Sequence, residues 1–154
     1  MYEFADHRAM VSGWREPRSP FALIQEMVPP DPWAVVVASL MCIRTPRRMS
    51  HVATWRLLAL YHDADAMMHA DPMHVESVIH EAGLSRDRSV VLTGMSAHWM
   101  AGSRPPALPG CGPYVNEAFT IFTRGFVGFT PKDKELRRYC EWAVEVGADE
   151  LGIR

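Results

Sequence analysis

The chain has 154 residues, 48% of them hydrophobic and 22% charged, a balance that places it with single globular domains and excludes a chain disordered throughout. No apolar run approaches the ~18 residues that span a bilayer, and the start of the chain lacks the basic-then-apolar order of a secretory leader, so an intracellular protein (cytoplasm, nucleoid or nucleus) with no membrane partner is expected. The formal net charge of −2 argues against a histone-like coat that wraps nucleic acid, but it leaves room for a local basic face.

Residues 1–18 mix polar and apolar side chains without a period and read as a loosely ordered lead-in to a domain over 19–154. Beyond them one signal recurs. Asp31-Pro32, Thr45-Pro46, Asp71-Pro72 and Thr130-Pro131 each pair a capping residue with a proline. The cap oxygen accepts an orphan amide at a helix start, and proline has no amide to waste at the first helical position. Helices are predicted over 20–28, 32–43, 46–61, 64–70, 72–82, 86–101, 113–124 and 131–147, with Gly83, Gly102, Gly125 and Gly147 at the stops. Val52, Trp55, Leu58 and Leu60 form an apolar stripe within 46–61, and Val75, Val78 and Ile79 another within 72–82. No alternating run is long enough for a sheet. The expected architecture is an all-α bundle of about eight helices.

Two segments carry chemistry. Leu108-Pro109-Gly110-Cys111-Gly112-Pro113-Tyr114 makes a tight hairpin before a helix. Its glycines allow a phosphate close to the backbone, and the helix behind them offers free amides and a positive dipole end. A plain helix–helix turn would look similar. In Thr130-Pro131-Lys132-Asp133, Thr130 is expected to cap a helix with Asp133 at its third position, where the positive helix end favours an ionised carboxylate. A capping box has the same spacing.

Taken together, the Leu-Pro-Gly-x-Gly hairpin, a helix, and a capped aspartate nineteen residues after Tyr114 resemble the helix-hairpin-helix DNA glycosylases, the superfamily of endonuclease III and the adenine-mismatch glycosylases. Ser19-Pro20-Phe21-Ala22-Leu23-Ile24-Gln25-Glu26, Asp31-Pro32-Trp33, Ile43-Arg44-Thr45 and Tyr139-Cys140-Glu141-Trp142 are similar to one branch, that of methyl-CpG-binding-domain protein 4, the thymine-mismatch glycosylase. The resemblance runs over about residues 19–146.

It implies a helix-hairpin-helix glycosylase fold and a residue-by-residue assignment. Asp133 would be the catalytic carboxylate, stabilising positive charge on the sugar and orienting or deprotonating water. Tyr114 stands where bifunctional members carry the lysine that forms an imine with the sugar; a phenol cannot do so, which implies an enzyme that stops at the abasic site. Tyr114 and Gln25 would line the pocket for the flipped base, Gln25 supplying an amide donor and acceptor to a pyrimidine edge. Arg44 would fill the gap that the flipped nucleotide leaves. Gly110 and Gly112 would bring the hairpin backbone to a phosphate; Lys132, Lys134 and Arg47, with Arg48, Arg137 and Arg138, adjoin Asp133 or Arg44 in sequence and are expected as DNA-binding phosphate contacts.

Pro113 departs from the pattern, removing an amide donor and a charge from the hairpin. Ser85-Arg86-Asp87-Arg88 also departs, in the stretch where the family meets the opposite strand.

Three cysteines, Cys42, Cys111 and Cys140, lie too far apart for an iron–sulfur or zinc framework and are expected as reduced thiols. His62, His69, His74 and His80 lack the i, i+4 pairing of a helical zinc site, so no metal and no cofactor is expected. The ten methionines read as core filler.

The expected function is a monomeric, monofunctional glycosylase acting on double-stranded DNA. It would remove thymine, uracil or a 5-substituted pyrimidine opposite guanine. Two alternatives share the fold: an enzyme that modifies a base substituent in DNA, and an inactive damage-binding module.

Overall fold

The computed structural model describes residues 2–147; Met1 and the last part of the expected domain, 148–154, lie outside the described residues. These residues form an all-α bundle without a strand. Its helices are α1 (Ala5–Arg8), α2 (Ile24–Met27), α3 (Pro32–Cys42), α4 (Arg47–Leu60), α5 (Ala64–Met68), α6 (Pro72–Ile79), α7 (Ser85–Met100), α8 (Pro113–Arg124) and α9 (Lys134–Val146), with a 3-10 turn at His80–Ala82 after α6. Among the described residues no helix is long and apolar enough to cross a membrane.

The centre of the bundle is α3. Every residue from Trp33 to Met41 is buried, and a helix apolar on all sides can only sit inside. Asp31 starts it by accepting the Trp33 amide at 3.0 Å, and the Trp33 indole donates to Ser96 of α7 at 2.9 Å. Helices α4 and α8 pack against α3. The main hydrophobic cluster fills the space between α3, α4, α6 and α7, while a smaller one joins α8 to α9 through Ala118, Ile121, Leu136 and Tyr139. Tyr114 and Phe122 of α8 pack against both clusters. The face of α8 that carries Tyr114 therefore lies on the seam between them.

Several expectations are corrected. Where a loosely ordered lead-in is expected, Tyr2, Phe4 and Val11 are buried in the main cluster, and the buried Arg8 guanidinium lies 3.8 Å from the centre of the Trp14 ring and 2.9 Å from Glu16. Tyr2, Phe4 and Val11 are three apolar residues spread over ten positions, too few to establish a period, so sequence pattern did not reveal their burial. The helix expected over 20–28 shrinks to the single turn α2. Ahead of it, Ala22 adopts the left-handed conformation (φ +49°), and the Glu26 carboxylate accepts from the amides of Arg18, Ser19 and Leu23 and from the Ser19 hydroxyl. Of the four cap-proline starts, Asp31 and Asp71 act as expected. Thr45 instead turns its hydroxyl back to the Ile43 carbonyl (2.8 Å), and the helix begins at Arg47. The last helix starts at Lys134 rather than 131, and its N-cap is Asp133 itself, not Thr130.

Candidate active site

A cavity of about 710 Å³ opens between α2, the end of α3, the start of α4, the N-terminal half of α8 and the loop before α9. Gln25, Arg44, Arg47, Tyr114, Lys132 and Asp133 all contribute to its wall. These residues come from four separate parts of the chain, so the cavity is a product of packing rather than of any one motif.

Gln25 is 2% exposed. Its Nε2 donates to the Tyr114 hydroxyl at 2.9 Å and to the Ser39 hydroxyl at 3.3 Å, while the Ser39 hydroxyl donates to the Val35 carbonyl at 2.7 Å. The amide hydrogens are thus directed at protein groups, and the donor expected for a ligand is already engaged. Burial pushes the Tyr114 phenol well above its ordinary value, with the Gln25 hydrogen bond opposing in part, so Tyr114 keeps its proton. The Cys42 thiol, in hydrogen-bonding contact with Tyr114 and Ser50, is pushed up to about 11, chiefly by burial. It is a neutral thiol in the wall, not a nucleophile.

Asp133 accepts the Leu136 amide through Oδ2 at 2.9 Å, which places a half-buried carboxylate at the positive end of α9. The peptide before it is tied to α8, because the Lys132 amide donates to Glu117 Oε2 at 3.2 Å. Glu117 stands one turn beyond Tyr114 and also lines the cavity. Sequence reasoning missed Glu117, although its i+3 spacing from Tyr114 puts it on the same face of the helix.

The basic residues divide by what they touch. Arg44 is exposed at the cavity wall with a left-handed backbone (φ +50°). Arg47 donates to the carbonyls of Phe21 (3.2 Å) and Ala22 (2.9 Å), so its guanidinium holds the loop that leads into Gln25. Lys132 and Lys134 are exposed; Lys134 is the first residue of α9 and is not part of the cavity wall. A positive charge beside the positive helix end does nothing for helix stability.

The hairpin lies next to the cavity. Gly110 has φ +82°, and a Cβ there would come within 2.6 Å of Val91 Cγ1 on α7. Gly112 is the N-cap of α8, and a Cβ there would meet nothing within 4 Å. The two glycines have different reasons: close packing at the first and open space before a helix start at the second. Among the described residues, no three histidine, cysteine, aspartate or glutamate side chains come together in a way that could hold a metal ion.

The chain is similar to a methyl-CpG-binding domain protein 4-like protein of Arabidopsis thaliana. The identity is 28% over 132 residues, which cover 84% of this chain and 30% of the relative. The chain thus spans under a third of the length of that relative. No family model matches the chain. His51, buried at 3% exposure in the cavity wall, is a further residue that sequence reasoning passed over, because a lone histidine on an apolar helix face carries no local signal.

Proposed function

We propose that the protein is a monofunctional DNA glycosylase of the helix-hairpin-helix kind, acting as a monomer on double-stranded DNA. It flips a thymine, a uracil or a 5-substituted pyrimidine, opposite guanine, into the cavity and hydrolyses the N-glycosidic bond. The observation that carries this reading is the convergence of Gln25, Arg44, Tyr114 and Asp133 on one cavity. The similarity to the Arabidopsis protein over most of the chain supports it.

In this reading Asp133 faces the sugar. As the bond between C1′ and the base nitrogen lengthens, positive charge develops on the deoxyribose, and a fixed carboxylate lowers the energy of that charge. Water adds at C1′, the base departs with the bonding electron pair, and Asp133 takes the proton that the water loses. Tyr114 offers no amine for an imine, so the product is an abasic site in an unbroken strand. With its Nε2 held by Tyr114 and Ser39, Gln25 presents its carbonyl oxygen, an acceptor suited to the N3–H of thymine or uracil. Arg44 enters the gap in the duplex, and the hairpin amides, Lys132 and Lys134 meet phosphates.

The test is a panel of labelled duplexes carrying G·T, G·U and 5-substituted pyrimidine pairs, treated with wild type and with Asp133→Asn. Alkali-labile sites that appear with wild type only, together with free base found by mass spectrometry, are expected. If no duplex acquires such a site, or if Asp133→Asn matches wild type, the reading fails.

A further inference from the structure

We infer that Arg88 is a positioning residue that holds Arg44 in its projecting conformation. The sequence singles out 85–88 only as a departure from a family pattern. In the fold, Arg88 lies in the first turn of α7 with its side chain turned inward, and it is 9% exposed. Its guanidinium donates to the carbonyls of Met41 (3.4 Å) and Ile43, the groups that end α3. Carbonyls at a helix C-terminus have no partner within the helix, and a cation there also meets the negative end of the helix dipole.

The residue after Ile43 is Arg44, at φ +50°. A side chain with a Cβ adopts the left-handed region only at a cost, and it stays there when the surroundings over-determine the backbone. Ile43 supplies that constraint: its carbonyl accepts from Arg88 and from the Thr45 hydroxyl. The choice of arginine is informative. Leu40, Leu84, Val91 and Leu92 line the groove around Arg88, and an apolar side chain in such a slot would serve stability as well as a buried cation does. What an apolar side chain cannot do is fix two carbonyls at defined points.

Helix α7 also sets the hairpin, through the packing of Val91 on Gly110. The Arg88 amide is itself locked to the Leu84 carbonyl at 2.9 Å in the first turn. Arg88 therefore fixes Arg44 relative to the hairpin, across a rigid helix. This inference rests on the proposed role of Arg44 in filling the gap left by a flipped nucleotide.

The experiment is a double-mutant cycle on single-turnover base release from a G·U duplex, using Arg88→Met, Arg44→Ala and the pair. Amide hydrogen exchange of residues 43–45 is measured on wild type and Arg88→Met. We expect Arg88→Met to slow release about tenfold, to leave the rate of Arg44→Ala unchanged when added to it, and to speed exchange at 43–45. Arg88→Lys, which keeps a donor and the charge, should recover part of the rate and covers the case in which Arg88→Met does not fold. A merely structural role predicts the same fractional loss on both backgrounds; that result, or unchanged exchange at 43–45, overturns the inference. If wild type releases no base from any duplex, the functional reading has failed, and the exchange measurement alone decides whether Arg88 holds the loop.

Discussion

Acid should destabilise this protein through one residue in the cavity wall. His51 is 3% exposed, stacks on Tyr2 at 5.6 Å, meets Phe4 edge-on at 5.5 Å, and its Nδ1 shares a hydrogen bond with the Tyr2 hydroxyl. Burial, with the charge of Arg47 adding to it, pushes His51 from 6.5 down to about 3. The folded protein holds this ring neutral while the unfolded chain protonates it below 6.5. Between those two values the unfolded state binds more protons, so stability is fully present above pH 6.5 and is lost as pH falls towards 3. At 1.36 kcal/mol per pH unit the gap amounts to roughly 5 kcal/mol, comparable with the whole stability of a small domain. The variant His51→Gln keeps an acceptor for Tyr2 and does not titrate. Urea unfolding of both proteins from pH 7.5 to 4.5 should show the wild-type advantage shrinking by about 1.4 kcal/mol per pH unit below 6.5. A difference that stays constant with pH, or a His51 ring resonance in the folded protein with a midpoint near 6.5, would refute the reasoning.

Other substitutions separate roles that share a side chain. Asp133→Asn should abolish base release yet keep the N-cap of α9, with stability within about 0.5 kcal/mol of wild type, whereas Asp133→Ala should lose about 1 kcal/mol in chemical denaturation as well as activity. Tyr114→Phe takes away the hydroxyl that accepts from the buried Gln25 Nε2; a loss of about 1–3 kcal/mol in unfolding free energy is expected, along with slower release. Gly110→Ala should cost about 1–3 kcal/mol, because its Cβ would collide with Val91, while Gly112→Ala meets no neighbour and should lose only the N-cap preference for glycine over alanine, about 0.5 kcal/mol; equal losses at the two positions would show that the hairpin is packed differently.

Much of the helical framework was legible in the sequence, and the errors are informative. Asp31 and Asp71 were read correctly because a short carboxylate reaches an amide only two residues on, a purely local geometry. The two threonine-proline pairs misled. Thr45 has a competing partner in the carbonyl of Ile43, and Asp133 caps α9 three residues past Thr130. The single turn α2 was overextended because nothing local reveals that Glu26 folds back on residues 18–23.

A resemblance to a family supplied the short roster of candidate site residues, whereas the sequence by itself determined the all-α class, most helix boundaries and the glycine stops. Each of these depends on neighbours in the chain: a cap and its amide, a period of apolar side chains, a glycine able to take positive φ. Tertiary structure alone decided how that roster is used. It took up the amide hydrogens of Gln25 with Tyr114 and Ser39, assigned Arg47 to the carbonyls of Phe21 and Ala22, and left Arg44 exposed. It also brought in Arg88, Glu117 and His51, which no motif marks. The reason is physical: the state of a buried polar side chain is set by whichever donor or acceptor the packing brings against it, and that partner lies on another helix.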